Sequence, residues 1–273
     1  MTRTTKDGIP TLGLGTFGRT GEEGTAAILT ALEVGYRHID TAQSYDTESS
    51  VGEALRRSGL PRSEVFITTK VADTNLEKAD FMPSVERSLE IIGVDHVDLL
   101  LIHWPSAKDA VPFEDYMHAL GQARDKGLAR RIGVSNYPIA DLQRAEQILG
   151  QGALSTNQIE IHPFLQAPKI CAYARSVDLP LTAYMPLAKG RVSKEPILEK
   201  IAQKHGVTAA AIALAFLMTE GHIVIPASSD TQRLRDNFAA NDVMLDEAEI
   251  AAIRALDRGD RMINPEKSPR WDD

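Results

Sequence analysis

The chain has a single cysteine, Cys171, so it cannot form an intrachain disulfide. It also lacks an excess of basic residues, and its net charge of -8 argues against nucleic acid or an anionic membrane as the main partner. The apolar run at 209–218 is too short to span a bilayer, and the first residues lack the apolar core of a signal peptide. These absences predict a cytoplasmic enzyme. Without a long exposed apolar repeat, we expect a monomer.

Metal-binding spacings are also missing. The seven histidines show neither an HExxH nor a CxxC pattern, so we predict no metal site. What is present is ample apolar mass, since 43% of the 273 residues are hydrophobic and 25% are charged. This balance is typical of a globular protein with a large core.

Short apolar segments alternate with helical patterns along the whole chain. The segments are near-continuous apolar runs, as expected for a parallel sheet covered by helices. In the helical pattern that starts at Thr20, that residue and Glu23 have capping-box spacing. Eight such units predict an α/β fold, a (β/α)8 TIM barrel with residues 1–273 in a single domain. The predicted strands are 11–16, 36–41, 65–70, 97–103, 130–135, 155–161, 179–185 and 222–228.

Titratable residues end three successive strands. Asp40, Lys70 and His103 close the second, third and fourth strands, and Tyr45 follows Asp40 in the next loop. A single polar residue at a strand end is often only a local cap or a hydrogen-bonded core group. In a barrel, however, the carboxyl ends of the strands meet at one mouth, where active sites lie. The four residues are therefore predicted to form one catalytic site.

These residue types suggest proton transfer. A charged Lys70 near the Tyr45 hydroxyl would stabilise the phenolate and lower the pKa of the tyrosine, while Asp40 would keep the lysine charged. His103 could hydrogen-bond a substrate oxygen. Such a group could protonate a carbonyl oxygen while a hydride reaches the carbon, or run the reverse oxidation of an alcohol.

Several motifs resemble one family. HIDTAQSY, VFITTK, LLLIHWP, IGVSNY, NQIEIHP and the late IPAS, with Asn237 downstream, resemble the aldo-keto reductases in order and spacing over essentially the whole chain. YMPLAKG and LDRGDRMINPE are most similar to the bacterial 2,5-diketo-D-gluconate reductase group of the B type. The resemblance implies an NADPH-dependent oxidoreductase that reduces small aldehydes and ketones, including dicarbonyls and keto sugar acids. It also implies that Tyr45 is the proton donor.

The resemblance further implies where the cofactor and substrate bind. Ser135, Asn136 and Gln158 should hold the carboxamide, and the ring of Tyr184 should stack on the nicotinamide. Each has a plain alternative, because Tyr184 could be a packed barrel aromatic, Gln158 could satisfy buried backbone and Asn136 could cap a helix. The full predicted cofactor set is Thr16, Asp40, Ser135, Asn136, Gln158, Tyr184, Leu187, Ser228, Arg233 and Asn237. The predicted substrate pocket consists of Phe17, Ala72, His103 and Trp104.

Two departures from the family bear on specificity. Many relatives carry a lysine for the 2'-phosphate of NADPH where this chain has Ala227, and Asp230 nearby would repel a phosphate. Because Arg233 and Ser228 remain, NADPH is the predicted cofactor, with NADH as the alternative. Ala72 and Phe17 stand where tryptophans are common, which predicts an open pocket and loose substrate specificity.

Three other interpretations compete with a barrel reductase. Gly13, Gly15 and Gly18 spell GxGxxG after a strand, with Asp40 further on, which imitates a Rossmann fingerprint. That interpretation leaves the eight repeated units and the lysine and histidine strand ends unexplained. A barrel lysine, Lys70 or Lys189, could instead form a Schiff base in an aldolase. The fold could also serve as a cofactor-sensing binding protein with little turnover.

Overall fold

Eight short parallel strands form one sheet in the computed structural model, which describes residues 3–272. Each strand pairs with the next one along the chain. The strands are β1 Leu14–Gly15, β2 His38–Asp40, β3 Phe66–Val71, β4 Val97–Ile102, β5 Ala129–Ser135, β6 Leu154–Glu160, β7 Leu181–Tyr184 and β8 Ile223–Val224.

The first and last strands close the sheet into a barrel. Leu12 forms a parallel bridge with Val224, and the Val224 amide donates to the Thr11 carbonyl at 2.8 Å. The Gly15 amide donates to the Pro226 carbonyl at 3.0 Å. The predicted (β/α)8 barrel is therefore confirmed.

Helices connect the strands and cover the outside of the barrel. Each helix buries the apolar face that its sequence pattern provides. In α2, for example, Val51 and Ala54, three residues apart, are buried, whereas Arg56 and Arg57 in the last turn are exposed. The helices are α1 Gly21–Val34, α2 Glu48–Ser58, α3 Phe81–Ile92, α4 Phe113–Asp125, α5 Ile139–Leu149, α6 Pro168–Ser176, α7 Pro196–His205, α8 Ala209–Thr219, α9 Thr231–Phe238 and α10 Glu247–Arg254.

The apolar run at 209–218 forms most of α8, which is buried along most of its length. Within residues 3–272 there is no single helix long and apolar enough to cross a membrane. The pair α7 and α8 passes that test of length and composition together, but it is bent by 92°.

The strands that meet at the barrel seam are shorter than predicted. β1 has two residues instead of the span 11–16, and β8 has two instead of 222–228. Pro226 has no amide hydrogen to donate, so the ladder cannot continue regularly through it. The predicted capping box is also absent, because the Thr20 side chain makes no capping hydrogen bond at the start of α1.

The GxGxxG pattern has a packing explanation. A Cβ at Gly13 would lie 2.8 Å from the ring of His38, and a Cβ at Gly15 would lie 2.9 Å from the Ile225 carbonyl oxygen. Both glycines therefore allow His38 of β2 and the segment after β8 to approach the chain around β1 closely. Since the sheet runs in sequential order and closes on itself, the Rossmann interpretation is wrong.

The amino-terminal end of the barrel is filled by apolar side chains. Ile9 comes from a short turn that precedes β1, and it packs in a separate cluster with Phe66 and Ile223, the first residues of β3 and β8. Leu99 and Leu101 of β4 complete this cluster. The polar residues at the carboxyl ends of the strands therefore lie at the opposite mouth of the barrel.

Candidate active site

The four predicted catalytic residues lie together at the carboxyl ends of β2, β3 and β4. Asp40 is the last residue of β2, and Lys70 is the next-to-last residue of β3. His103 follows β4, and its amide donates to the Val71 carbonyl at 3.0 Å. Tyr45 ends a one-turn 3-10 helix, Gln43–Tyr45, which returns the chain over the mouth.

Lys70 and Asp40 form a buried ion pair inside the barrel. The lysine Nζ donates to Asp40 Oδ1 at 2.5 Å and to the Thr41 carbonyl at 2.8 Å, and its side chain has no exposed surface. Gln158 Nε2 donates to the other carboxylate oxygen at 2.8 Å. Burial acts to lower the pKa of Lys70, but the negative charge of Asp40, together with the interactions of Lys70 with Tyr45, outweighs it, so the pKa is raised.

A charged, fully buried amine is a poor nucleophile. Schiff-base formation requires a neutral amine that a substrate carbonyl can reach. The charge and burial of Lys70 therefore argue against the aldolase alternative at this residue.

Tyr45 places its hydroxyl between the lysine and the histidine. Lys70 Nζ lies 4.9 Å from the tyrosine ring centroid, and the hydroxyl lies 3.3 Å from His103 Nε2. The edge-to-face contact with Phe17, with ring centroids 5.1 Å apart, holds the outer side of the ring.

The expected lowering of the Tyr45 pKa is corrected by the structure. Burial raises the pKa of Tyr45 more than the charge of Lys70 lowers it, and Asp40 raises it further, so the net shift is upward. Sequence spacing revealed the neighbouring charge but not the loss of solvent. Tyr45 is consequently protonated at neutral pH and ready to act as an acid, while Lys70 can still stabilise the phenolate that forms.

His103 is neutral at this site. Burial, followed by the positive charges of Lys70 and Lys267, lowers the pKa of His103 to about 3. At neutral pH the ring therefore carries one proton, and it can donate one hydrogen bond and accept another. The Ser44 hydroxyl lies 3.2 Å from its Nδ1 atom. This contact was not foreseen from the sequence.

Hydrogen bonds link the predicted carboxamide residues to this centre. Asn136 Nδ2 donates to the His103 carbonyl at 3.0 Å, and the Tyr184 hydroxyl donates to Asn136 Oδ1 at 2.9 Å. Ser135 Oγ donates to the Gln158 carbonyl at 2.8 Å. Asn136 has a φ of 66°, in the left-handed region. It does not cap the following helix, because the residue at the N-cap of α5 is Pro138.

Two of the predicted cofactor residues have local structural partners. Thr16 is fully buried, and its hydroxyl donates to the Asp40 carbonyl at 3.1 Å and pairs with the Thr47 hydroxyl at 2.9 Å. Leu187 precedes the irregular 3-10 segment Ala188–Lys194, in which Ala188 and Lys189 adopt positive φ values of 48° and 54°. Thr16 thus lies against the Asp40 backbone, whereas Leu187 follows the carboxyl end of β7.

The predicted phosphate residues surround the start of α9. Asp230 Oδ1 accepts from the Arg233 amide at 2.8 Å, so this carboxylate caps the helix, and it lies 3.9 Å from Arg233 Nε. Ser228 Oγ accepts from the Asp230 amide at 3.1 Å, and Asn237 is buried further along the helix. The sequence predicted only repulsion from Asp230. The structure instead gives this residue a capping role and a cationic neighbour.

Arg19 is a second cation at this end of the site and was missed from the sequence. Its Nη1 donates to the Phe17 carbonyl at 2.7 Å, but its buried Nε has no hydrogen-bond partner within residues 3–272. Burial lowers the pKa of Arg19, and the positive charge of Arg233 lowers it further. Two guanidinium groups that repel one another, one of them with an unsatisfied donor, fit a phosphate between or beside them.

The predicted substrate residues follow the carboxyl ends of β1, β3 and β4 and differ in exposure. Phe17 is 67% exposed, whereas Ala72 and Trp104 are buried. The ring of Trp271, near the end of the chain, packs edge-to-face on Trp104 with centroids 6.3 Å apart. The carboxyl-terminal segment therefore covers Trp104, and the open pocket with loose substrate specificity stays a prediction.

Glu160 holds this covering segment, and it too was missed. The carboxylate, fully buried at the end of β6, accepts from the amides of Met262 and Ile263 at 2.8 Å each and lies 3.1 Å from His162 Nε2. Lys267 adds a second attachment by donating to Asp73 at 2.7 Å. Among the described residues, no group of three or more His, Cys, Asp or Glu side chains could hold a metal ion.

Comparisons with known proteins agree with this geometry. Residues 11–258 match the model of the Aldo/keto reductase family. The chain is 44% identical over 265 residues to Methylglyoxal reductase DkgB of Salmonella typhi, covering 97% of this chain and 99% of the relative. It is 34% identical to an aldo-keto reductase of Mycolicibacterium smegmatis, covering 93% and 92% of the two chains.

Solved structures show the same similarity. A crystal structure assigned provisionally as 2,5-diketo-D-gluconic acid reductase B has a TM-score of 0.94 and 39% identity, covering 100% of this chain and 98% of the other. Aldose Reductase from Schistosoma japonicum has a TM-score of 0.92 and 30% identity, with coverages of 100% and 99%.

Proposed function

We propose, since the chain belongs to the aldo/keto reductase family, that its substrates are small dicarbonyls and keto sugar acids and that its cofactor is NADPH. As a member of that family the chain is an NAD(P)H-dependent oxidoreductase, which reduces carbonyl groups to alcohols. Relatives of this chain are named for methylglyoxal and for 2,5-diketo-D-gluconic acid. The observation that carries the proposal is the contact of 3.3 Å between the Tyr45 hydroxyl and a neutral His103, beside the buried Lys70.

In the proposed mechanism, Tyr45 gives its proton to the carbonyl oxygen. The nicotinamide cofactor, when bound, supplies the hydride that reaches the carbonyl carbon. The charge of Lys70 stabilises the phenolate left on Tyr45, and Asp40 keeps Lys70 charged within the barrel. His103, being neutral, can donate a hydrogen bond to the same carbonyl oxygen without competing for its proton.

We propose that the cofactor lies across the mouth from this centre to the start of α9. Asn136 and Gln158 would hold the carboxamide, with Ser135 supporting Gln158, and Tyr184 would face the nicotinamide ring. The hydrogen bonds of Asn136 to the His103 backbone carbonyl and of Gln158 to the Asp40 carboxylate support this placement, because they hold both amides next to the catalytic residues. Leu187, Ser228 and Asn237 would line the remaining path.

The proposed substrate class also agrees with the charge at the mouth. Lys267 Nζ lies 5.7 Å from the Trp104 ring centroid, and its positive charge reaches His103. An acidic sugar bound at the mouth near Lys267 would meet this cation, although Asp73 partly neutralises it. A small neutral dicarbonyl needs no such contact, so the proposal includes both substrate types.

The proposal predicts consumption of NADPH with dicarbonyl substrates. The full chain should be mixed with NADPH or NADH and a panel containing methylglyoxal, 2,5-diketo-D-gluconate, a simple aldehyde and a simple ketone, and the absorbance of the reduced cofactor followed. We expect turnover with the dicarbonyls and a larger kcat/KM with NADPH. Tight NADPH binding without turnover of any carbonyl would instead support the cofactor-sensing alternative.

Cofactor preference should depend on Arg233. We expect Arg233→Ala to raise the Kd of NADPH about tenfold while changing that of NADH by less than about twofold, because only NADPH has a 2'-phosphate for the guanidinium. Ala227→Lys should have the opposite effect on NADPH. Fluorescence titration of the protein with each cofactor measures these Kd values without catalysis.

Arg235→Ala is the matched control, since this exposed arginine lies two residues along the same helix. It should leave both Kd values unchanged. If Arg233→Ala weakened the binding of NADPH and NADH equally, or if Ala227→Lys did not increase the affinity for NADPH, the 2'-phosphate would bind elsewhere. The cytoplasmic location, the monomeric state and the assignment of residues 1–273 to one domain stay predictions.

A further inference from the structure

Ser44 and Tyr45 are consecutive residues that contact opposite sides of one imidazole. The Tyr45 hydroxyl lies 3.3 Å from His103 Nε2, and Ser44 Oγ lies 3.2 Å from His103 Nδ1. Both contacts arise because the single 3-10 turn Gln43–Tyr45 brings two adjacent side chains across the mouth to the residue that follows β4. The histidine is thus held at both ring nitrogens by one turn.

A neutral imidazole has two possible arrangements here. If Nδ1 carries the proton, it donates to Ser44, and Nε2 must accept the Tyr45 proton. If Nε2 carries the proton, Ser44 donates to Nδ1, and Nε2 donates towards Tyr45 or a bound carbonyl oxygen. The serine hydroxyl can serve in either arrangement because it both donates and accepts. The chemistry of the site therefore has to distinguish them.

Only the second arrangement leaves the tyrosine proton available. In the first, the O–H of Tyr45 points at His103 and away from the substrate. In the second, the Tyr45 oxygen can accept from Nε2 and interact with the ammonium of Lys70, so its own hydrogen is directed to the substrate side. Once a carbonyl oxygen is bound, the Nε2 hydrogen can be donated to it in place of the Tyr45 oxygen. The carbonyl oxygen then receives one hydrogen bond from each ring.

We propose that Ser44 is a positioning residue that donates its hydroxyl hydrogen to His103 Nδ1 and thereby keeps the histidine proton on Nε2. This inference rests on the proposed carbonyl reduction. During the reaction the O–H bond of Tyr45 breaks and its proton forms the new O–H bond of the alcohol, while the cofactor hydride forms the C–H bond. His103 neither gains nor loses a proton. Ser44 acts only on the direction in which His103 donates.

The tautomer can be observed directly by nitrogen NMR. The full chain is labelled with 15N-histidine and saturated with NADP+, and the His103 signals are identified by their loss in His103→Gln. We expect an unprotonated Nδ1 and a protonated Nε2 in the wild type. Ser44→Ala should shift His103 towards a mixture with protonated Nδ1, whereas Ser44→Thr, which keeps a hydroxyl, should resemble the wild type.

The same variants should change the rate of the chemical step. With methylglyoxal in single-turnover experiments, we expect Ser44→Ala to reduce the rate about fivefold, the effect of one neutral hydrogen bond, while NADPH affinity is unchanged. Ser44→Thr should restore most of that rate. Ser49→Ala, at an exposed serine of α2, is the matched control and should alter neither the spectrum nor the rate.

A protonated Nδ1 in the wild type, or identical His103 spectra in the wild type and Ser44→Ala, would overturn the assignment to Ser44. Failure of the wild type to reduce any carbonyl is a different result. It would refute the proposed function, and the spectra would still show whether Ser44 sets the histidine tautomer.

Discussion

Tyr45→Phe is expected to reduce the single-turnover rate of carbonyl reduction about 10³-fold, within the range of effects seen when a general acid is removed. The variant loses the hydroxyl that lies 3.3 Å from His103 and keeps the ring that packs on Phe17. The carbonyl oxygen then has no proton donor at the position of the Tyr45 hydroxyl, although His103 and Lys70 remain. A single-turnover measurement with methylglyoxal reports this step separately from product release.

The controls for Tyr45→Phe separate chemistry from folding and binding. Tyr173→Phe removes a hydroxyl from helix α6, on the outside of the barrel. In the wild type this hydroxyl donates a hydrogen bond to the Glu146 carboxylate at 3.4 Å. This variant should retain the wild-type rate. The Kd of NADPH for Tyr45→Phe should stay within about twofold of the wild type, since the hydroxyl is proposed to act on substrate. A Tyr45→Phe rate within tenfold of the wild type would reject Tyr45 as the proton donor.

Lys70→Met is expected to lower the free energy of unfolding by about 3–5 kcal/mol, because it leaves the buried carboxylate of Asp40 without its counter-charge. The hydrogen bond from Gln158 remains but carries no full positive charge. The single-turnover rate should also fall sharply, since no cation is left to stabilise the phenolate of Tyr45. Denaturant unfolding and the single-turnover assay measure the two effects separately.

The double variant Asp40→Asn with Lys70→Met tests the origin of that stability loss. With both charges removed, no uncompensated ion stays in the barrel, so we expect most of the lost stability to return while the chemical step stays slow. Lys204→Met, at an exposed lysine paired with Asp246 and Glu249, should change the stability much less. If the double variant were as unstable as the sum of its single changes, the ion pair would not be the cause.

The positions of the catalytic residues could be predicted from the sequence because they depend on local pattern. Asp40, Lys70 and His103 stand at or just beyond the ends of apolar runs, and parallel strands of a barrel bring such ends to one mouth. The number of strands and their order followed from the same periodicity. The lengths of the seam strands β1 and β8 were overestimated, because their irregular pairing depends on Pro226 and on the close-packed Gly13 and Gly15.

Contacts between distant segments could not be predicted in the same way. Three such contacts join residues that meet only when the barrel has closed. They are the proximity of Arg19, whose Nε has no hydrogen-bond partner among the described residues, to Arg233, the contact of Ser44 with His103, and the hydrogen bond that Glu160 accepts from Met262. No short motif in the sequence marks these pairs. The covered Trp104 was missed for the same reason, since Trp271 reaches it from the opposite end of the chain.

The sequence by itself determined the barrel, the family and the four residues at its mouth, because hydrophobic periodicity and residue spacing are local properties of the chain. Only the tertiary structure decided the protonation of Tyr45 and His103. The pKa of Tyr45 is set by the balance between loss of solvent, which raises it, and the charge of Lys70, which lowers it. Burial depends on every segment that covers the site, so its outcome is decided only after the whole chain has folded.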